Sequence, residues 1–248
     1  MQQEVPEGWN SHDAAALRAA CEREGCPICT LVFESVQRYM DTWQYEGFSD
    51  VEHRHLLIQS RGFCPLHTWQ LAQNNAPFQL AVVYQEVLTG ILDDLNRDTQ
   101  TFAAVSLDET APETAWKKLW KRKGRQRKNV GPTYDHCPIC RTRAAAEERF
   151  TGTLLEQLSS QEMRTLLCQS TGLCLQHFAQ ARQQAESNDP AILHPLLECQ
   201  RTCVQRVLEE VRESIRKHDY RYIDEPRGSE MTSWRRAAQL CAGNPGVR

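Results

Sequence analysis

Apolar residues recur along this chain at spacings of three and four. Leu80, Val83, Val87, Leu88, Ile91, Leu92 and Leu95 form one stripe, and Leu193, Leu196, Leu197, Val204, Val207, Leu208, Val211 and Ile215 form another. A period near 3.6 residues places such positions on one face of an α-helix, and packing against partner helices is the economical role for both stripes. Strict alternation of the kind a half-buried strand needs is nearly absent, and Ala, Leu, Glu, Gln and Arg dominate. The pattern therefore predicts an all-α protein.

Punctuation residues divide this helical pattern. Asp13 can cap a helix over 14–24, ended by Gly25, and Cys26-Pro27 opens a second that runs to about Glu46 and stops at Gly47. Ser49 can cap a shorter third that ends near Gly62. Cys64-Pro65 opens a fourth to Asn74, and Asn75 with Pro77 starts the long helix that carries the first stripe. After residue 131 the sequence of events restarts. Cys137-Pro138 opens a helix, Ser159 or Ser160 caps the next, Gly172 ends it, and Pro190 starts the last long helix.

The restart is a duplication. Arg54–His67, RHLLIQSRGFCPLH, set over Arg164–His177, RTLLCQSTGLCLQH, matches at Arg, both Leu, Gln, Ser, Gly, Cys and His with an offset of 110. The two CPIC stretches match at an offset of 111, so a slip of one residue separates the halves. The expected organisation is a first helical repeat over 1–105, a charged and basic linker over 106–131, a second repeat over 132–225, and a tail with a short helix over 226–248.

Each half thus presents Cys-x-x-Cys and, about 35 residues later, Cys-x-x-His. The first half supplies Cys26, Cys29, Cys64 and His67, and the second Cys137, Cys140, Cys174 and His177. Three thiolates and one imidazole are the donor set of a closed tetrahedral zinc site. A cysteine followed by proline at the first helical position puts thiols at a helix N-terminus. There unsatisfied N–H groups and the dipole favour thiolate. Two zinc ions per chain are expected. The doublets can pair within a half or cross between halves, and the identical spacing favours pairing within each half. Arg54 and Arg164 are either compensating charges beside the sites or solvated helix residues. An iron–sulfur cluster on the same cysteines is the alternative, since Cys followed by Pro also occurs in such sites. A thiol-redox reading of CPIC would want a βαβ unit, and none is predicted.

The order Cys-Pro-x-Cys, Gly-Phe-Cys-x-x-His and a long amphipathic helix, duplicated and followed by Ser233-Trp234-Arg235-Arg236-Ala237, resembles an uncharacterised bacterial family of helical proteins known only as a domain of unknown function. The resemblance covers about residues 20–241. It implies the duplication and the ligand set and no activity. The second half departs from the first at Leu175, where Pro65 predicts proline, and at Leu173 in place of Phe63.

Composition changes this picture little. The 248 residues carry a formal charge of -3, which gives no global pull toward nucleic acid or anionic membrane. Eleven cysteines in a chain this large, without a secretory signal at Met1, point to metal or redox chemistry in a reducing cytoplasm rather than to a disulfide scaffold. No apolar run is long enough to span a membrane. The one local concentration of charge, Lys117, Lys118, Lys121, Arg122, Lys123, Arg125, Arg127 and Lys128 with Trp116 and Trp120, offers a nucleic-acid contact, although most charge runs are simply solvated. Cys168 aligns with Ile58 and reads as a core position. Cys199 and Cys203 read as small buried side chains on the last long helix, with metal ligation the second option. No nucleophile elbow, phosphate loop or paired acids of catalytic pattern occur. The functional expectation is a non-enzymatic, metal-organised binding or scaffold module with an unidentified protein partner.

Overall fold

The computed structural model describes residues 10–74, 76–106, 137–222 and 224–246, the side chains of residues 10, 11 and 101–106 apart. Ten α-helices and no strand occur among the described residues. They are α1 (Asn10–Cys21), α2 (Pro27–Thr42), α3 (Val51–Gln59), α4 (Pro65–Gln73), α5 (Pro77–Ser106), α6 (Pro138–Gln157), α7 (Gln161–Gln169), α8 (Leu175–Asn188), α9 (Leu193–Lys217) and α10 (Ser233–Ala242).

The caps explain the boundaries. Asp50, not Ser49, caps α3 by accepting from the His53 N–H at 2.9 Å, and Ser160 caps α7 by accepting from Met163 N at 3.3 Å. At the other ends of these two helices the serines at matching positions act alike. Ser60 Oγ donates to the carbonyl of Leu57 and Ser170 Oγ to that of Leu167, each three residues back. Helix α2 ends in a π-turn over Trp43–Gly47 instead of running straight to Glu46. Asp189 caps a 3-10 turn over Pro190–Ile192, so α9 begins three residues after the proline.

The chain forms two compact units, Met1–Gln37 with Arg143–Arg248, and Arg38–Thr142. These cut across the expected halves: the boundaries fall inside α2 and inside α6, and each unit takes segments from both repeats. In the first unit Leu17, Ile28, Phe150, Leu154, Leu158, Met163, Leu167, Leu173 and Leu196 make one core. Helix α9 packs there against α7, α8 and α10. In the second unit α5 packs on α3 and α4, over buried Met40, Trp43, Leu57, Phe63, Leu71, Val83 and Val87, with Trp43 edge-on to Phe63 at 5.0 Å between centroids.

Both apolar stripes split. On α5, Leu80, Val83 and Val87 are buried, whereas Leu88, Leu92 and Leu95 are exposed. On α9 the buried line runs Leu196, Cys199, Cys203, Val207, and Leu197, Val204, Leu208 and Ile215 face outward. A seven- or eight-member apolar set covers more of the helix circumference than one packing neighbour can bury, so core packing holds for only part of each stripe.

Candidate metal centres

All four Cys-x-x doublets open a helix. Cys64 and Cys174 are the N-caps of α4 and α8, with nearly the same backbone angles, φ -64, ψ 160 and φ -66, ψ 159. Leu175 therefore enters the helix as Pro65 does, and proline is not required to aim the cysteine. The carbonyls of Cys26, Cys64, Cys137 and Cys174 each accept the first helical bond, from Thr30, Thr68, Arg141 and Phe178. Before α4 and α8 the chain turns at Gly62 and Gly172, with φ of 99 and 92. A Cβ at Gly62 would stand 2.6 Å from the Tyr84 ring and one at Gly172 would stand 2.7 Å from Cys203 Cβ, so both position and conformation demand glycine.

The doublets converge in two groups, and they cross between the two halves of the sequence. Cys26 and Cys29 meet Cys174 and His177 in the first unit, while Cys137 and Cys140 meet Cys64 and His67 in the second. The within-half pairing favoured by the spacing is thus overturned. Doublets separated by about 35 residues in each half leave both pairings sterically open, and the packing of the helices that carry them decides.

In each group the four donor atoms lie within 4.8 Å of one another. In the first, His177 Nδ1 is 3.5 Å from Cys26 Sγ, 3.3 Å from Cys29 Sγ and 3.3 Å from Cys174 Sγ, and the Cys29 and Cys174 sulfurs are 3.7 Å apart. In the second, His67 Nδ1 is 3.1 Å from Cys64 Sγ, 3.5 Å from Cys137 Sγ and 3.3 Å from Cys140 Sγ, with Cys140 and Cys64 3.6 Å apart. Both histidines therefore present Nδ1, and both groups have the size of a shell around one ion. They suggest metal binding.

The donors polarise one another. Cys174 is held far below the ordinary thiol range, chiefly by hydrogen bonds from Cys26 and Cys29, while burial pushes Cys26 well up. Burial works against a charged His177, but hydrogen bonds with Cys174 and Cys29 and the Glu147 carboxylate nearby outweigh it and carry the imidazole up to about 11. In the second group burial raises Cys137, and hydrogen bonds from His67 and the backbone more than reverse it. Sulfurs gathered this tightly call for positive charge among them, which a metal cation supplies.

The first group has supports that sequence reasoning missed. Glu147 on α6 is buried, with Oε1 3.6 Å from His177 Nε2 and 3.1 Å from Arg143 Nε. A carboxylate behind the non-ligating ring nitrogen is how proteins fix the tautomer and orientation of a metal-bound histidine. Beyond α10, Asn244 accepts from the Cys26 N–H at 2.9 Å and donates to the Cys26 carbonyl and to Thr30 Oγ1. Gly243 lies so close that a Cβ there would be 3.3 Å from Cys29 Sγ. Matching the two halves hides these residues: at the offset of 111 the positions of Arg143 and Glu147 fall on Val32 and Val36. The usable signal was local, the i, i+4 pair Arg143 and Glu147 one and two turns past Cys140.

Other expectations resolve plainly. Arg54 pairs with Glu86 at 3.4 Å, and Arg164 donates to the carbonyls of Leu158 and Ser159. Cys199 and Cys203 are buried on α9 and join neither group. The basic run from Lys117 to Lys128 lies outside the described residues. No helix among the described residues is long and apolar enough to cross a membrane.

Among the described residues, a helical fold with two Cys3His groups, buried but for Cys140, defines a class of candidate metal-organised helical proteins. Within it, the sequence matches the model of the Family of unknown function (DUF6062) over residues 15–246, and the chain belongs to that family. No curated protein and no solved structure matches it.

Proposed function

We propose that the chain is a two-zinc protein in which each compact unit is organised by one structural ion, held by Cys26, Cys29, Cys174 and His177 in one unit and by Cys64, His67, Cys137 and Cys140 in the other. The observation that carries this reading is the size of the donor shells. Zinc–sulfur bonds of about 2.3 Å at tetrahedral angles separate sulfurs by about 3.8 Å, against the 3.7 and 3.6 Å seen here. A cluster of several irons and bridging sulfides needs its cysteines spread around a larger body, which speaks against the iron–sulfur alternative.

Four protein donors leave the ion no open position for water or substrate, which supports a structural role over a catalytic one. The metal then holds helix starts together so that outer faces can recognise a partner. The exposed Trp69, Phe78, Leu88 and Leu92 of the second unit and Leu208, Ile215 and Trp234 of the first are available for that. Metal analysis of purified protein tests the reading. A colourless sample with about two zinc per chain supports it, and a brown one with iron and sulfide overturns it.

A further inference from the structure

Outside the two donor groups, the first unit contains a third concentration of sulfur. Cys168, near the C-terminus of α7, and Cys199, on the buried line of α9, have their Sγ atoms 2.7 Å apart. That is well inside non-bonded contact and only somewhat longer than the roughly 2.05 Å of a disulfide. No third histidine, cysteine or carboxylate among the described residues joins the pair within reach of a common ion, so this is not a metal shell. The duplication does not account for it either, since the residue equivalent to Cys168 is Ile58.

The surroundings hold the pair in register. The Cys199 thiol faces the Arg164 carbonyl at 3.5 Å, Cys203 Sγ donates to the Leu167 carbonyl at 3.2 Å, and Arg206 donates to the Cys168 carbonyl at 2.7 Å and to that of Ser170. Three consecutive turns of α9 are thus fastened to the last turn of α7. Access is unequal: Cys168 is half-buried, whereas Cys199 is 3% exposed. A reagent from solution reaches Cys168 and not Cys199.

We propose that Cys168 and Cys199 form a dithiol site, distinct from the metal ligands, that is oxidised to an intramolecular disulfide by small disulfides of the glutathione type. The Cys168 thiolate attacks one sulfur of RSSR, the reagent's S–S bond breaks, and a mixed disulfide Cys168–S–SR forms with release of RS⁻. The released thiolate takes the Cys199 proton. Cys199 sulfur then attacks Cys168 sulfur and expels the second RS⁻, which picks up the proton left from Cys168. Two electrons and two protons leave the pair, and two RSH are produced. Burial pushes the Cys199 thiol up to about 12, which suits a resolving rather than an attacking partner. The bond ties α7 to α9 just ahead of the loop that leads to Cys174. Reduction by excess thiol restores the open form.

The test uses the full-length, metal-loaded protein incubated with oxidised glutathione, alkylated, digested without reduction and mapped by mass spectrometry, with metal content followed in parallel. The expected result is a Cys168–Cys199 linked peptide that excess thiol abolishes. Metal content stays unchanged, and Tm rises by roughly 5–10 °C. Cys203→Ser keeps the link, while Cys168→Ser and Cys199→Ser lose it. Direct mapping of the parent protein decides the matter even if a serine variant fails to fold. Glutathione retained on Cys168 without a link, a Cys168–Cys203 link instead, or a first link through Cys26, Cys29, Cys174 or the second group with loss of metal would each overturn the proposal.

Discussion

The two donor groups have the same chemistry and unlike surroundings. In the first unit all four donor residues are buried, Glu147 and Arg143 stand behind His177, Asn244 grips both backbone groups of Cys26, and Gly243 leaves little room for a Cβ beside Cys29. In the second unit the shell has nearly the same dimensions, but Cys140 is only half-buried, and Val36 occupies the repeat position of Glu147. The two groups share the atoms that would touch an ion. What lies behind them differs, and tetrahedral coordination constrains donors strictly and their supports only loosely. An ion held by the first group is therefore expected to exchange slowly, and one held by the second more readily.

The largest effect should come from breaking one shell and reading which cysteines are released. Cys174→Ser is expected to lose one metal equivalent and several kcal/mol of stability in the first unit, because metal binding is coupled to folding. Alkylation should then reach Cys26 and Cys29 while Cys137 and Cys140 stay protected, and Cys64→Ser should give the mirror result. Release of Cys137 and Cys140 by Cys174→Ser would mean that the doublets pair within repeats after all.

Next in size is the support behind His177. Glu147→Gln keeps the shape and removes the charge, so metal affinity in the first unit should fall about ten- to a hundredfold with the second unit unaffected. Competition with a chromophoric chelator measures both. Equal loss at both sites, or none, would erase the distinction drawn between them.

Exchange kinetics offer a finer test. Chelator should remove metal in two phases, the faster from the second unit, where Cys140 is reachable. Asn244→Ala deletes the three hydrogen bonds to Cys26 and Thr30, worth about 1 kcal/mol each at most. It should speed only the slow phase. A single phase in the parent protein contradicts unequal access.

The smallest expected effect lies away from both sites. Hydrogen bonding by Lys217, helped by the Gly228 N–H, holds Glu230 at about 2 rather than 4.5. A lowered carboxylate stabilises the fold above its ordinary value, and the gain is lost as the pH falls from 4.5 toward 2. Glu230→Gln should lower Tm by about a degree or two at pH 7, the modest effect of a partly buried pair near the surface. The gap to the parent should close with acidification, and a gap that widened would contradict the sign.

Helix type and most boundaries were legible because caps and breakers act locally: Gly62, Gly172, Ser160 and the Cys-Pro starts do what their chemistry dictates. The stripes on α5 and α9 were less legible. Periodicity names a face without saying how much of it a neighbour covers, so Leu88 and Leu208 were read as core and are exposed. Glu147 and Asn244 escaped because repeat logic finds what two halves share, and these residues belong to one site only.

By itself the sequence named the eight cysteines and histidines that the structure gathers into two groups, and their placement at helix starts, since each depends on residue type and short spacing. Which donors meet was decided by tertiary structure alone. The two Cys-x-x-Cys doublets are chemically interchangeable, so no local preference separates one pairing from the other. In the first unit Ile28, Leu31 and Val32 of α2 share one apolar core with Ala181 and Ala185 of α8, and in the second the donors at the starts of α4 and α6 meet, so contacts between residues far apart in the chain select a single arrangement.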